Sequence, residues 1–382
     1  EGVGGAPAAP AAAAAAAEPP AASPEAPLSP LAQFLVDRSS RSLQVANFLH
    51  WYLKVALSDA THGQLYQSIH DAFMAQLEAA GDDGASFAVQ LRAQDAYVER
   101  IAATQLEARE VKGRKREKEE GMRRLLAERG LTSLPEDVAS VPLPLNPALA
   151  ITGLLPKSTF MFKSAMYPAV VEFYVSQPGD EPAPAPEPAE GAGDEEKRGE
   201  DGEEEKEEVR TKRVAANNRK LAMLLGDASI GKPSLRVIFK SGDDLRQDQL
   251  VMQMFFLMDR LLKKVNMDLK LRTFGILATG PKDGLMEFVE KSAPVSKVLE
   301  DHRGSILAYL RSHNPDAAGP LGVAPRAMDN FVKSCAGSCV VTYILGIGDR
   351  HLDNIMMLPD GVLWHLDFGW WLGRDPKPLP PP

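Results

Sequence analysis

The stretch NIMMLPDGVLWHLDFG, residues 354–369, restricts what this chain can fold into more than any other. Two apolar runs flank an Asp-Gly pair, a dipeptide that suits the positive-φ positions of a tight hairpin turn. Directly before it stands GDRHLDN, residues 348–354, which packs two carboxylates, an arginine, a histidine and an amide into seven positions. Before that comes AMDNFVKSCAGSCVVTYILG, apolar and long enough for a helix. The order predicts a core helix, a polar loop and a strand pair, with charged groups gathered where a core element ends.

The rest of the chain divides by composition. Residues 1–28 are a low-complexity Ala/Pro tail that cannot bury enough surface to offset its ordering entropy, and they read as a disordered linker. From residue 29 to 128 the pattern is helical, with Val45, Phe48, Leu49, Tyr52, Leu53 and Ala56 at helical spacing and no clear internal repeat. The charged run 107–130 reads as solvated helix faces. Residues 129–150, with the Pro-bounded VPLPL, read as a linker, and a second domain is expected from Ile151. Its strands are the two runs in FMFKSAMYPAVVEFYV, joined by a Pro-containing turn, and LRVIFK at 235–240. Between them, residues 177–233 are too polar for a core and read as a disordered acidic insertion. DQLVMQMFFLMDRLLKKV is apolar around most of a helix and is expected to pack on more than one side.

Charge and cysteine usage exclude some classes. The formal charge is −9, but residues 180–208 hold fourteen Asp/Glu and three Lys/Arg, or −11, which leaves the remainder at −9 + 11 = +2. A folded part so nearly neutral argues against a nucleic-acid partner. Cys335 and Cys339 are too few for a disulfide framework, so a reducing compartment is expected, and their i, i+4 spacing suggests one buried helix face. The apolar run 335–348 is too short to span a bilayer, so membrane contact is expected to be peripheral. The chain opens on Glu1 without the features of a signal peptide and reads as a fragment.

The chemistry lies in a spacing. Asp349 and Asn354 are five residues apart, and Asp367 of DFG follows thirteen residues after Asn354. Kinase catalytic loops likewise place a metal-binding Asn five residues after an Asp base, with the DFG Asp on the other side of the metal. Phosphoryl transfer needs a carboxylate beside the attacking hydroxyl and hard oxygen ligands for Mg²⁺. The order DRH inverts the protein-kinase loop. GDRHLDN with LDFG resembles the phosphatidylinositol 3-kinase superfamily, and VIFKSGDDLRQDQLVMQ, AGSCVVTYILGIGDRHLDN and HLDFGWWLGRDPKPLPPP are similar to its class III members.

That resemblance implies an α+β fold, a bilobal protein-kinase-like catalytic domain preceded by part of an α-helical, PIK-type, helical-repeat domain. The smaller lobe would span 151–290 and the larger lobe 291–382. Lys240 would bind the phosphates of ATP, with Asp248 paired to it, while Asp243, Asp244 and Arg246 brace the helix that follows. The turn FKSAMYP would cover the phosphates through Ser164. Phe288 and Val289 would meet adenine through backbone groups, and Phe274 stands where the family usually has a pocket tyrosine. Asp349 and His351 would act on the inositol 3-hydroxyl, Arg350 would order the loop, and Asn354 and Asp367 would ligate Mg²⁺, with Mn²⁺ as the alternative metal. Trp370 and Trp371 are expected to pack. The implied substrate is phosphatidylinositol in membranes. The implied partners are a pseudokinase-like regulatory subunit and autophagy or endosome adaptor subunits, on the cytoplasmic side of endosomal and autophagic membranes. The alternative within the superfamily is a serine/threonine protein kinase; a non-catalytic scaffold is the reading from another class. The resemblance also places residues that choose the lipid beyond Pro382, so the fragment alone is expected to be inactive.

Overall fold

Serine caps begin the first two helices, where the sequence turns amphipathic. The structure, a computed structural model, describes residues 28–134, 138, 140–164, 166–176 and 234–376. The expected tail up to residue 27, the insertion 177–233 and residues 377–382 lie outside the described residues. Helix α1 (Pro30–Ser39) starts with Ser29 Oγ accepting from the Ala32 N–H at 3.2 Å, and α2 (Leu43–Ala56) with Ser42 Oγ accepting from Val45 at 3.4 Å. Then come α3 (Gly63–Ala79), α4 (Gly81–Glu110) and α5 (Lys115–Glu128). Val36, Leu53, Phe73, Leu77 and Leu91 form the core shared by the first four.

The buried face of α2 is not the stripe that apolar spacing suggests. Ala46, Asn47, His50, Trp51 and Leu53 are buried, whereas Tyr52 is exposed. A satisfied polar network draws Asn47 inward. Gln94 Nε2 donates to Asn47 Oδ1 at 2.7 Å and to the Pro142 carbonyl at 2.8 Å, and Gln94 Oε1 accepts from Trp51 Nε1 at 2.7 Å. Asn47 Nδ2 in turn donates to the Pro144 carbonyl at 2.9 Å. Because every bond is made, burial of the two amides costs little.

The VPLPL segment held by this network is sheet, not linker. Strand β1 (Val141–Leu143) and the long β2 (Asn146–Met161) begin before the expected boundary at Ile151. Irregularities in pairing between Ile151 and Gly153 and between Leu155 and Phe160 bend β2. Strands β3 (Ala169–Ser176), β4 (Ser234–Ser241), β5 (Ile276–Gly280) and β6 (Asp283–Glu287) complete an antiparallel sheet of order β1-β2-β3-β4-β6-β5. One face packs on α4 and α5 through Tyr97, Ile101, Met122, Leu126, Phe173 and Phe239.

After β4, α6 (Arg246–Lys264) buries Val251, Met252 and Phe255 but leaves Leu250, Phe256, Leu257 and Leu261 exposed, so its apolar belt is covered on one side rather than all round. Strand β7 (Ala293–Pro294), helices α7 (Val295–Asp301), α8 (Ile306–His313) and α9 (Pro325–Ile344), and strands β8 (Ile355–Met357) and β9 (Leu363–His365) follow, with sheet order β7-β8-β9. The buried face of α9 runs through Ser334, Gly337, Ser338 and Val341. Cys339 is therefore exposed and Cys335 half-buried, against the expectation of a buried cysteine face. Helix and sheet are mixed as expected. Among the described residues no helix is long and apolar enough to cross a membrane.

Candidate active site

The Asp360-Gly361 turn folds β9 onto β8, pairing Ile355 with His365. Asp360 Oδ1 accepts from the Val362 N–H at 3.2 Å, and Gly361 takes φ +91° where its absent β-carbon would lie 2.3 Å from the Ala327 carbonyl. Pairing continues one step past the strands, with Leu366 N donating to the Asn354 carbonyl at 3.1 Å. Two residues thirteen apart in sequence, Asn354 and Asp367, thereby stand at the same end of one hairpin.

The GDRHLDN loop is fastened to that end. Asn354 Nδ2 donates to the Asp349 carbonyl at 3.0 Å, which fixes its side chain, 5% exposed, and leaves the amide oxygen for a cation. Arg350 donates from Nε to the Gly348 carbonyl at 2.7 Å, from Nη1 to the Leu366 carbonyl at 2.9 Å, and from Nη2 to the Asp367 carbonyl, while its guanidinium lies 5.6 Å over the Phe368 ring. Arg350 thus joins loop to DFG through backbone atoms. Burial lowers its pKa, a pull opposed by the carboxylates of Asp367, Asp349, Asp248 and Asp375. Both Asp349 (φ 53°) and Asp367 (φ 62°) sit in the left-handed region, which aspartate tolerates better than most residues.

His351 faces both neighbours. Its Nε2 is 3.8 Å from Asp349 Oδ2 and its Nδ1 is 3.8 Å from Asp353 Oδ2. The Asp353 N–H donates to Nδ1 at 3.2 Å, so Nε2 is the ring nitrogen turned toward Asp349. His365, by contrast, is buried in β9, where burial and Arg350 push its pKa down to about 4. It stays neutral near neutrality.

Lys240, at the end of β4, pairs with Asp243, Nζ to Oδ2 at 3.2 Å. The expected pairing with Asp248 is not made. Asp248 lies in the first turn of α6, is 6% exposed, and accepts from the Phe368 N–H at 2.8 Å. Burial raises its pKa, against the Phe368 hydrogen bond and the Lys240 charge, which lower it. Asp248 therefore ties α6 to DFG, and the more exposed Asp243 is free to take the lysine. Asp244 braces Arg246 as expected, with Oδ1 accepting from Nε at 2.8 Å and from the backbone N–H at 3.0 Å.

The remaining expected residues are spread around this centre. Ser164 is exposed at the β2–β3 turn, where its N–H donates to the Phe162 carbonyl at 3.1 Å. Phe288 N–H is committed to the Arg236 carbonyl at 3.2 Å, which leaves the Phe288 carbonyl and buried Val289 at the edge after β6. Phe274 is buried, its ring 5.1 Å from Trp364, and it borders a cavity of about 380 Å³ toward Phe48 and Tyr52 of α2. That cavity has neither Lys240 nor Asp349 on its walls, so the polar chemistry, not concavity, locates the site. Trp371 packs against the core cluster that holds Phe368 and Val341, whereas Trp370 is exposed.

One participant escaped the sequence reading. Residues 370–375 lie along 345–349: Gly348 N–H donates to the Trp370 carbonyl at 2.9 Å, Leu372 N–H to Leu345 at 3.0 Å, and Gly373 N–H to Gly346 at 2.9 Å. Asp375 Oδ2 accepts from the Asp349 N–H at 3.1 Å. The approach is so close that a β-carbon on Gly348 would lie 2.2 Å from the Arg374 carbonyl. The only sequence signal was the glycine spacing in GIGD.

A lysine on a strand, a carboxylate loop and a DFG carboxylate with an amide oxygen beside it can hold a triphosphate and a hard cation and accept a hydroxyl proton. Comparison with known proteins agrees. Residues 234–382 match the family model described as phosphatidylinositol 3- and 4-kinase. The particular relatives are narrower in kind. A phosphatidylinositol 3-kinase of Schizosaccharomyces pombe is 37% identical over 356 residues, covering 92% of this chain and 37% of that protein. The root isoform of phosphatidylinositol 3-kinase of Glycine max is 36% identical over 362 residues, covering 93% and 37%. Phosphatidylinositol 3-kinase catalytic subunit type 3 of Caenorhabditis elegans is 35% identical over 361 residues, covering 92% and 34%. The chain thus spans a little over a third of the length of these relatives.

Proposed function

We propose that the complete protein is a bilobal class III lipid kinase, which transfers the γ-phosphate of ATP to the 3-hydroxyl of phosphatidylinositol. The observation that carries this reading is the convergence of Asp349, Asn354 and Asp367 at one hairpin end, tied by Asp248 to the helix that follows Lys240. In this reading the six-stranded sheet belongs to the smaller lobe, α7 to α9 and the hairpin to the larger, and α1 to α5 to a PIK-type helical domain.

Each residue then has a task. Lys240 exchanges its Asp243 partner for phosphate oxygens. The turn carrying Ser164 closes over the same phosphates. The Phe288 carbonyl and Val289 receive adenine, with Phe274 at the inner wall. Asn354 Oδ1 and the Asp367 carboxylate fit one hard cation, since Mg²⁺ takes one or two protein oxygens and completes its shell with phosphate and water. When bound, Mg²⁺ (or Mn²⁺) supplies charge neutralisation on the transferring group. The Asp349–His351 pair removes the hydroxyl proton, with His351 Nε2 as the ring nitrogen in reach, and Arg350 keeps the loop in place from behind. The relatives' printed names favour lipid over protein as the acceptor. A regulatory subunit and adaptors would carry this activity to endosomal and autophagic membranes as a peripheral protein.

The test supplies the complete protein with Mg²⁺-ATP and either phosphatidylinositol vesicles or a protein acceptor. Phosphatidylinositol 3-phosphate is the expected product. Phosphate found only on protein would replace the lipid-kinase reading with the protein-kinase one.

A further inference from the structure

The turn between β2 and β3 is held from outside its own sheet. Tyr167 sits at φ 46°, a left-handed conformation that is an outlier for a bulky side chain and persists only when its surroundings impose it. Gln105 of α4 imposes it: its Nε2 donates to the Tyr167 carbonyl at 3.0 Å and to the Met166 carbonyl at 3.2 Å. Lys118 of α5 adds to the hold, with Nζ 5.1 Å over the Tyr167 ring and donating to the Val111 carbonyl at 2.8 Å. Met166 reaches between Arg109 of α4, S to Nη1 at 3.9 Å, and Gly242, where a β-carbon would lie 2.4 Å from its methyl. Gly242 and Asp243 both donate to the Lys282 carbonyl, at 2.7 and 2.9 Å, directly after Lys240. A continuous set of contacts therefore runs from α4 through the turn to the lysine loop.

Packing alone does not account for Gln105. The residue is 0% exposed, and among the described residues its Oε1 has no hydrogen-bond partner. An apolar side chain would fill the same space without that penalty. What the amide supplies and an apolar chain cannot is a donor to two turn carbonyls.

We propose that α4 and α5 form a clamp that holds the 162–168 turn in the shape that receives nucleotide phosphates, with Gln105 as its positioning residue. This rests on the reading above that the turn covers the phosphates of ATP. Gln105 touches no substrate in this scheme; it acts through the turn backbone. Loss of its donors frees Tyr167 to leave the left-handed region, and the turn must then be reordered at the moment ATP binds.

The test uses the complete protein, Mg²⁺-ATP and phosphatidylinositol vesicles. Gln105→Met keeps volume and removes the donors; its KM for ATP is expected to rise about tenfold with kcat changed less than about twofold. Hydrogen–deuterium exchange of residues 162–168 without nucleotide is expected to quicken in the same variant, while Gln90→Met on the same helix leaves both readouts at wild-type values. If Gln105→Met fails to fold, Arg109→Ala in the last turn of α4 decides, with an expected rise in KM of about two- to threefold. Two failures are distinguishable. Should ATP not slow exchange of 162–168 in the wild type, the phosphate-covering role of the turn falls, and the clamp with it. Should ATP protect the wild-type turn while Gln105→Met, or Arg109→Ala in its place, matches wild type in KM and exchange, the clamp alone is overturned.

Discussion

Replacing Asp248 in two ways separates its hydrogen bond from its charge. The carboxylate accepts from the Phe368 N–H at 2.8 Å, and Phe368 is 0% exposed. Asp248→Ala strands that N–H in the core, a loss of about 1–3 kcal/mol, or about 5- to 150-fold in a local opening equilibrium. Asp248→Asn keeps an oxygen acceptor of the same reach and removes a charge that burial disfavours, so opening is expected within about fivefold of wild type. The pH dependence has a fixed sign. Burial raises the folded pKa above the ordinary 3.8, so the folded protein holds this proton after the unfolded chain has released it. Stability from this group is greatest at acid pH and is lost as pH climbs from 3.8 through the raised value; Asp248→Asn lacks that decline. Native-state hydrogen exchange at residues 366–369, with both variants compared at each pH, measures it. Exchange in Asp248→Asn as fast as in Asp248→Ala would refute the hydrogen-bond account.

Other perturbations bear on the same centre. Asp349→Ala and Asn354→Ala are each expected to lower kcat at least about 100-fold with far-ultraviolet circular dichroism unchanged. Arg350→Lys cannot reach the carbonyls of Gly348, Leu366 and Asp367 together, so a kcat lower by about tenfold or more and faster exchange at 366–369 are expected, although the positive charge is kept. Asp375→Ala removes the acceptor for the Asp349 N–H and is expected to lower kcat without raising the KM for ATP, while Asp375→Asn restores most of the rate; equal rates for the two variants would show that the charge, not the bond, matters.

The elements legible in the sequence were those coded by local chemistry. The Asp360-Gly361 turn, the run LRVIFK and the long α9 follow from turn preference and apolar patterning, and the spacing from Asp349 to Asn354 and Asp367 is one that a hairpin brings to a single end. Long-range polar bonds were not legible. Apolar periodicity cannot register that Gln94 draws Asn47 into the core, nor that β1 begins in a proline-rich stretch because that network captures its carbonyls. The same blindness gave Lys240 the wrong carboxylate. Asp243 and Asp248 are alike in sequence, and only the depth of α6 separates an exposed partner for lysine from a buried one for the Phe368 amide.

The hairpin that carries Asn354 and Asp367 is bolted at its far end to the helices beneath it. Asn314 Nδ2 donates to the Pro359 carbonyl at 2.6 Å, Asn330 Nδ2 to the Asp360 carbonyl at 3.1 Å, and Ser334 Oγ accepts from the Leu363 N–H at 2.8 Å. Asn354 and Asp367 are therefore carried on a hairpin fastened to α8 and α9, whereas Lys240 belongs to the other sheet. The Asn354–Asp367 span is set within one hairpin, and Lys240 is joined to the same centre through α6, where Asp248 accepts from the Phe368 N–H.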